Sequence, residues 1–304
     1  MRFLGNVMAT IIGLFVFMML FFFGIVFIAA IFGSDSEEIA VKSDSVIEIK
    51  LDNITNDYAG KYKDPWVTIL SEGENIGLSD IINAIAAAKN DTDIKGISIL
   101  NNESELGMAQ RKSLRDALED FKKSGKFVMA YANSYSQKEY YLNSVANTVY
   151  INPIGDLDFK GLSAELMFFK DLQEKSGVKM EVIRHGKYKS AVEPFLDNKM
   201  SEANREQTIS LLNSVWNSVL ADISKSRNVS TAKLNEIANG LLARTPEMAK
   251  AEKLVDVIAY EDEYHDAIRK KLKIGKEEDY NKINIEDYTQ KVVTTSESNS
   301  STDK

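Results

Sequence analysis

The sequence contains no cysteine and only two histidines, His185 and His265, and these shortages exclude several kinds of site. Without cysteine, the chain can form neither disulfide bonds nor the thiolate metal sites of structural zinc domains. Two histidines are too few for a histidine-rich metal centre, which argues against zinc catalysis and against an ordinary Ser-His-Asp triad. We therefore expect neither a metal ion nor a cofactor.

The charged residues show no segregation by sign. The formal net charge is −8, and the 37 basic and 45 acidic residues are mixed along the chain. Nucleic-acid-binding proteins usually concentrate lysine and arginine in a patch or stripe. Since no such stretch is present, we expect no nucleic-acid partner.

Charge is missing altogether between Phe3 and Phe32, where nearly every residue is apolar. About 20 apolar residues suffice to cross the hydrocarbon layer of a membrane as a helix. We therefore predict that residues 1–33 form a transmembrane anchor in contact with lipid. A cleaved signal peptide is the alternative, since Ala29 and Ala30 are small residues near the end. Its apolar region, however, usually has only about 7–15 residues.

The residues flanking this segment predict its orientation. Arg2 and the amino terminus precede it, whereas the acidic residues 34–38 follow it. Because positive charge tends to stay on the cytoplasmic side, we expect the remainder of the chain to lie outside the cytoplasm. The prediction is a single-pass protein of the bacterial inner membrane with its soluble domain in the periplasm.

A short polar tether is predicted at residues 34–44, and an α/β domain at residues 45–270. Within this domain we predict strands at 46–51, 94–100, 126–132, 148–151 and 180–184, and helices at 78–89, 108–123, 138–145, 164–176, 203–226, 231–238 and 246–252. Alternation of strands and helices is typical of crossover units and a mostly parallel sheet. Residues 271–304 are charged and polar, and we predict a linker or tail that buries no core.

The segment from Gly186 to Phe195, Gly-Lys-Tyr-Lys-Ser-Ala-Val-Glu-Pro-Phe, is the most informative for chemistry. It follows the strand predicted at 180–184 and would lie at the carboxyl edge of the sheet, where functional groups usually lie. Ser190 and Glu193 have the spacing of a capping box, although the following proline lacks an N–H. A desolvated lysine has a lowered pKa and can act as a general base. The local pattern alone does not distinguish Lys187 from Lys189 as a candidate general base. It also allows both to be ordinary surface lysines.

These ten residues resemble the lysine-bearing motif of signal peptide peptidase A in its long, tandem-domain form. Residues 131–142, 146–155 and 251–256 resemble further segments of the same family. Its members are membrane-anchored bacterial serine peptidases with a Ser/Lys dyad on a ClpP/crotonase-like fold. The resemblance implies that Lys189 is the general base, that the substrates are apolar signal peptides and that the protein is a homotetramer.

Two segments depart from the family pattern. Where the family has its nucleophilic serine before Gly-Gly-Tyr-Tyr, this chain has Gln137 before Lys-Glu-Tyr-Tyr, and residues 101–104 replace a glycine-rich turn. Both changes resemble the first repeat of the tandem form, whose second repeat supplies the serine. Ser136 could be a local nucleophile, but a serine before a short helix commonly caps it. We expect a structural role for His185.

The main alternative is a non-catalytic, membrane-tethered scaffold, a module that binds peptides or organises an oligomer. It fits a chain in which no convincing nucleophile is present. A crotonase-type enzyme acting on acyl thioesters would share the fold, but it does not fit a membrane anchor and an extracytoplasmic location.

Overall fold

The computed structural model describes residues 2–32, 39–51, 54, 56–58 and 76–302. The chain divides into two compact units, Met1–Ala40 and Val41–Lys304. The first unit contains helix α1, Arg2–Phe32, of which Gly5–Phe27 is long and apolar enough to cross a membrane. The predicted N-terminal apolar helix is therefore confirmed as a candidate span. A signal sequence near the N-terminus meets the same criteria of length and composition. Part of the predicted tether, residues 34–38, lies outside the described residues.

The second unit is built on a parallel β-sheet. Its strands are β1 Ser45–Ile49, β2 Ile94–Leu100, β3 Phe127–Ala132, β4 Thr148–Ile151, β5 Val257–Ile258 and β6 Lys282–Asn284. In the described part of the chain they pair in the order β5-β4-β3-β2-β1-β6, and every pair is parallel. The prediction of an α/β fold with a parallel sheet is confirmed.

Helices connect and cover these strands. They are α2 Leu78–Ala88, α3 Met108–Lys122, α4 Gln137–Asn143, α5 Lys170–Ser176, α6 Glu193–Leu196, α7 Glu202–Arg227, α8 Thr231–Gly240, α9 Pro246–Ala251, α10 Glu261–Leu272 and α11 Ile285–Thr302. Helix α2 packs against both α3 and α11, and α7 packs against α8.

Successive strand residues point to opposite faces of the sheet, and both faces are buried. On one face, α10 contributes Tyr264 and Ile268 to a buried cluster with Val46, Leu100, Met129, Tyr131 and Tyr150. Strand residues of the other parity align across the sheet as Ile47, Ile97 and Val128. Helix α3 contacts β3 and buries Leu114, Leu118 and Phe121. Burial on both sides explains why β3, Phe127–Ala132, is apolar throughout.

Arg115 on α3 joins three helices through one buried guanidinium. It donates hydrogen bonds to the carbonyl oxygen of Tyr141 and the hydroxyl of Ser144 beside α4, and to the carbonyl oxygen of Asp222 and the hydroxyl of Ser226 on α7. Burial lowers the pKa of Arg115, against the raising effect of nearby groups such as Tyr141 and Asp222. The carboxyl half of α7 is thereby fixed to the sheet domain.

The strand predicted at residues 180–184 is wrong. These residues have no strand conformation, and Ile183 is fully exposed. The place beside β4 is taken by β5, which comes from a later part of the chain. The helix predicted at 164–176 is also shorter, since α5 begins only at Lys170. The apolar residues of this stretch thus have no neighbouring strand to pair with in the described part of the chain.

The tail predicted at residues 271–304 is a further correction. Strand β6 pairs with β1, and Ile283, Ile285 and Tyr288 are buried. These apolar residues are scattered among charges, so the average composition of the segment hid them. The folded domain therefore continues beyond residue 270.

Candidate functional site

Asparagines at the carboxyl ends of three neighbouring strands form a hydrogen-bonded rim. Asn101 follows β2 with a left-handed φ of 44°, a conformation that asparagine tolerates better than most residues. Its side-chain oxygen accepts a hydrogen bond from the backbone N–H of Asn133, 2.8 Å away. The Asn152 amide donates to Asn133 and to the Tyr131 hydroxyl, each at 3.0 Å. The turns after β2, β3 and β4 are thereby joined.

A buried ion pair lies beneath this rim. The Arg111 guanidinium of α3 is 2.7 Å from the Glu139 carboxylate of α4, and their side chains are only 2% and 7% exposed. The same carboxylate accepts hydrogen bonds from the Asn102 amide at 2.8 Å and from the Ser104 backbone N–H at 3.2 Å. In acyl-transfer enzymes, backbone N–H groups at such a turn can stabilise an oxyanion. Here that of Ser104 already has an internal carboxylate as its acceptor.

The position that resembles the family nucleophile is also occupied by internal contacts. The Gln137 side-chain oxygen accepts hydrogen bonds from the backbone N–H groups of Lys160 and Gly161, and its amide nitrogen donates to the Gly161 carbonyl. Ser136 is the N-cap of α4, and its hydroxyl accepts the Glu139 backbone N–H at 3.2 Å. The predicted capping role of Ser136 is confirmed. Neither Gln137 nor Ser136 is therefore placed as an activated nucleophile.

The predicted lysine lies elsewhere, on a segment that we name the arm, residues 162–200. Much of the arm is exposed, including its apolar residues Leu166, Met167, Leu172, Val178, Met180 and Ile183. It contains the short helices α5 and α6, whose aromatic residues Phe169 and Phe195 stack with ring centroids 5.7 Å apart. The Lys189 loop, residues 186–195, lies at the end of the arm next to α7.

The two lysines of the loop have different surroundings. Lys187 Nζ lies 3.3 Å from the Glu206 carboxylate and 3.1 Å from the Tyr188 hydroxyl. These hydrogen bonds, to Tyr188 and then to Glu206, raise the pKa of Lys187. Lys189 is exposed, and its amine makes no hydrogen bond or ion pair with any residue that the structure describes. Within this chain Lys189 is thus not desolvated, contrary to our expectation of a lysine held against a strand.

The backbone around Lys189 is nevertheless closely held. Gly186 has a φ of 110°, a conformation that favours glycine. The Glu193 backbone N–H donates to the Ser190 carbonyl at 2.9 Å, closing the turn. The Arg184 guanidinium donates to the Lys189 carbonyl at 3.1 Å. The loop therefore presents the lysine side chain from a defined backbone.

Ser190 and Glu193 do not form the capping box that their spacing allows. The Glu193 side chain turns instead to the amino terminus of α7, where it accepts hydrogen bonds from the Ser201 hydroxyl at 2.5 Å, the Ser201 backbone N–H at 3.2 Å and the Asn204 amide at 3.0 Å. Ser201 is the N-cap of this helix, so its free N–H groups and positive dipole end attract a carboxylate. Ser190 is not the N-cap of such a helix.

We expect the contact between the Lys189 loop and α7 to weaken in acid, because it depends on the Glu193 carboxylate. Burial raises the pKa of its carboxyl, but hydrogen bonds from Ser201 and Asn204 and the nearby Arg184 outweigh burial, and the net pKa lies below the ordinary 4.5. Its stabilising contribution is therefore complete above that value and is lost as the pH falls through the lower, folded-state pKa. We expect hydrogen exchange, corrected for its intrinsic pH dependence, to accelerate at the Ser201 N–H in acid. Unchanged protection in strong acid would contradict this.

The structure does not bring Lys189 together with the rim. In the described part of the chain, no hydrogen bond or ion pair joins residues 186–195 to Ser136, Gln137 or Glu139; the loop is bonded to α7 instead. His185 is exposed and has no side-chain hydrogen bond within the same described ranges, so the structure gives it no packing role. The other histidine, His265, lies 2.8 Å from the Tyr280 hydroxyl on another part of the domain.

Sequence analysis missed two carboxylates with well-defined surroundings, Glu139 and Glu193. Glu139 is one residue after the lysine that follows Gln137, and nothing local indicates its buried partner Arg111, 28 positions away. For Glu193 a signal was present, since Ser201-Glu-Ala-Asn204 is a helix start eight residues later. This pattern favours a Glu193 carboxylate that accepts hydrogen bonds from the start of that helix.

Comparison with protein families matches residues 120–275, about half of the chain, to Peptidase family S49. Protease 4 of Salmonella typhi is 36% identical over 223 residues, covering 70% of this chain and 36% of that protein. Protease 4 of Haemophilus influenzae is 38% identical over 185 residues, 59% and 30% of the two chains. The chloroplastic serine protease SPPA of Arabidopsis thaliana is 27% identical over 219 residues, 71% and 32%.

The chain thus spans about a third of the length of these curated relatives. The family match contains the rim after β3, the whole arm and Lys189. On this match and on the parallel α/β fold, the chain belongs to peptidase family S49.

Proposed function

We propose that this chain is the lysine-bearing repeat of a membrane-bound serine endopeptidase that degrades cleaved signal peptides. Lys189 is the general base of a Ser/Lys dyad, and a second repeat of the same protein supplies the nucleophilic serine. The relatives named Protease 4 and serine protease SPPA support peptidase activity. The observation that carries the proposal is the Lys189 loop, whose backbone is held while its amine has no partner among the described residues.

The proposed mechanism requires a neutral Lys189 amine next to the hydroxyl of the nucleophilic serine. The Lys189 amine takes the serine proton while the serine oxygen bonds to the carbonyl carbon of the peptide. When the tetrahedral intermediate collapses, the C–N bond breaks and the lysine ammonium protonates the leaving amine. Water then gives a proton to Lys189 and its oxygen bonds to the acyl carbon, and the serine leaves with that proton. Neither a metal nor a cofactor is needed in this sequence.

The arm supports a partner for Lys189. Met167, Val178 and Ile183 are 74%, 64% and 105% exposed, and several large apolar side chains exposed on one segment favour an interaction site. We propose that a second repeat covers the arm and removes water from Lys189, with assembly as a homotetramer. Covering the arm would supply the desolvation that the isolated chain lacks.

Helix α1 supports a location at the membrane. We propose that α1 is a permanent, single-pass anchor in the bacterial inner membrane, with residues 41–304 on the periplasmic side. Arg2 before the helix favours this orientation. Substrates are then apolar signal peptides left in or near the bilayer.

A scaffold without catalysis is the second candidate. Two residues at the start of α4 favour it. Gln137 occupies the nucleophile position, and the Ser136 hydroxyl serves as a helix cap. In that case the arm would bind peptides or organise an oligomer, and Lys189 would be an ordinary surface residue.

Labelling with a serine-reactive fluorophosphonate separates the two candidates. The protein purified in detergent from its host should be labelled on a serine, because the dyad activates that hydroxyl. The 304-residue chain alone should remain unlabelled, because its rim offers no activated hydroxyl. Heat-denatured protein is the control for non-specific reaction. Label on the 304-residue chain would contradict the assignment of the serine to another repeat, and unlabelled host protein would favour the scaffold.

A further inference from the structure

We propose that Glu193 and Arg184 are positioning residues for Lys189, an inference that rests on the proposed function of Lys189 as the base. Glu193 clamps the loop to the amino terminus of α7, and Arg184 connects this clamp to the Lys189 backbone. Neither side chain is required to touch the substrate. Both act through the placement of the lysine.

The clamp is a buried carboxylate with fixed partners. Glu193 is 2% exposed, and its two oxygens accept hydrogen bonds from the Ser201 hydroxyl, the Ser201 N–H and the Asn204 amide. Ser201 and Asn204 are themselves held, because the Ser201 hydroxyl accepts the Asn204 backbone N–H at 3.2 Å. They begin a helix of 26 residues, whose far end is fixed by Arg115. The loop is therefore attached to a long, rigid element.

Arg184 extends the clamp to the lysine. Its Nη1 lies 3.7 Å from a Glu193 oxygen and donates to the Lys189 carbonyl oxygen at 3.1 Å. One guanidinium nitrogen thus hydrogen-bonds the backbone of residue 189 and lies within ion-pair range of the anchored carboxylate.

This arrangement fixes the backbone of Lys189 and leaves its amine free of internal partners in the described structure. A base that must meet a hydroxyl from a second repeat benefits from both properties. A displacement of about 1 Å at a catalytic group can cost about 10²-fold in rate, so residues that hold it are expected to affect turnover more than substrate binding.

The test uses Glu193→Gln and Arg184→Ala in the full-length protein in detergent, with kcat and KM measured for peptide cleavage. Glutamine has the same shape but loses the charge, and its amide would face donors from Ser201 or Asn204. The Arg184 side chain is 39% exposed, so we expect Arg184→Ala to fold. This variant keeps the proposal testable if Glu193→Gln fails to fold. We expect kcat to fall by about 10- to 100-fold with KM within about twofold of the wild type. Methylguanidine should restore part of the activity of Arg184→Ala.

Glu206→Gln is the matched control. It makes the same substitution on α7, the helix that Glu193 contacts, but its carboxylate pairs with Lys187 and Tyr188 at the surface, where the Lys187 and Glu206 side chains are 64% and 63% exposed and should hold the loop only weakly. We expect it to keep near-wild-type kcat. Equal losses in Glu206→Gln, or unchanged kcat in Arg184→Ala, would overturn the positioning role. Lys189→Ala separates this from the proposed function: if that variant still cleaves peptides, the base assignment fails whatever Glu193 does.

Discussion

Replacing Lys189 by alanine in the full-length, detergent-solubilised protein is expected to lower kcat/KM for peptide cleavage by about 10²–10⁴-fold, the usual contribution of a general base. The serine would keep its proton, because the variant lacks the amine that accepts it in the proposed mechanism. The measurement is the initial rate of hydrolysis of a fluorogenic apolar peptide. Only the neutral amine accepts a proton, so wild-type kcat/KM should rise with pH.

Lys187→Ala provides the matched control, since it removes the same side chain two residues away. The Lys187 ammonium is paired with Glu206, and its pKa is raised, so less of it is neutral and able to accept a proton at a given pH. We expect this variant to keep most of the wild-type activity and the same pH dependence. A larger loss in Lys187→Ala than in Lys189→Ala would transfer the catalytic role to Lys187.

Glu139→Gln is expected to lower the free energy of unfolding by about 3–5 kcal/mol, the usual cost of removing one member of a buried ion pair. The Arg111 side chain is 2% exposed, so its charge would stay buried without its carboxylate. The Ser104 N–H and the Asn102 amide would also lose a charged acceptor. Urea unfolding followed by circular dichroism measures the change.

The control for this prediction is Lys112→Ala on the same helix as Arg111. Lys112 pairs with Asp116 and with Asp222, and its own side chain is 45% exposed, so these solvent-screened pairs should contribute much less than the buried one. Replacing Arg111 and Glu139 together by apolar residues should recover much of the loss, because no unpaired charge is left. A Glu139→Gln variant as stable as the wild type would show that water already reaches this pair.

The parallel sheet was predictable from the sequence because its strands are buried on both faces. Phe127–Ala132 is apolar throughout and four of the seven residues of Ile94–Leu100 are isoleucine or leucine, and a helix with 3.6-residue periodicity separates the two runs. The cap role of Ser136 was predictable for a similar reason, since it depends on contacts within four residues. Features determined by local contacts were thus accessible.

The arm and the buried carboxylates were less accessible because they depend on contacts distant in sequence. Met180 to Arg184 has strand composition, but a strand needs a neighbour, and β5 takes the place beside β4. Arg111, the ion-pair partner of Glu139, is 28 residues away in the sequence. Leu51, whose backbone N–H donates to the Asn102 side chain, is 51 residues away from Asn102. Lys189 was found through family resemblance, since neither charge nor periodicity distinguishes it from Lys187.

The late position of β6 in the chain has a consequence for biosynthesis. Strand β1 is made first of the six described strands, yet one of its two neighbours, Lys282–Asn284, is made last of them. Until then a nascent chain has one side of β1 without hydrogen-bond partners, and open strand edges invite aggregation. A polypeptide cut short before residue 282 would keep that edge exposed, so we expect quality-control proteases to remove it.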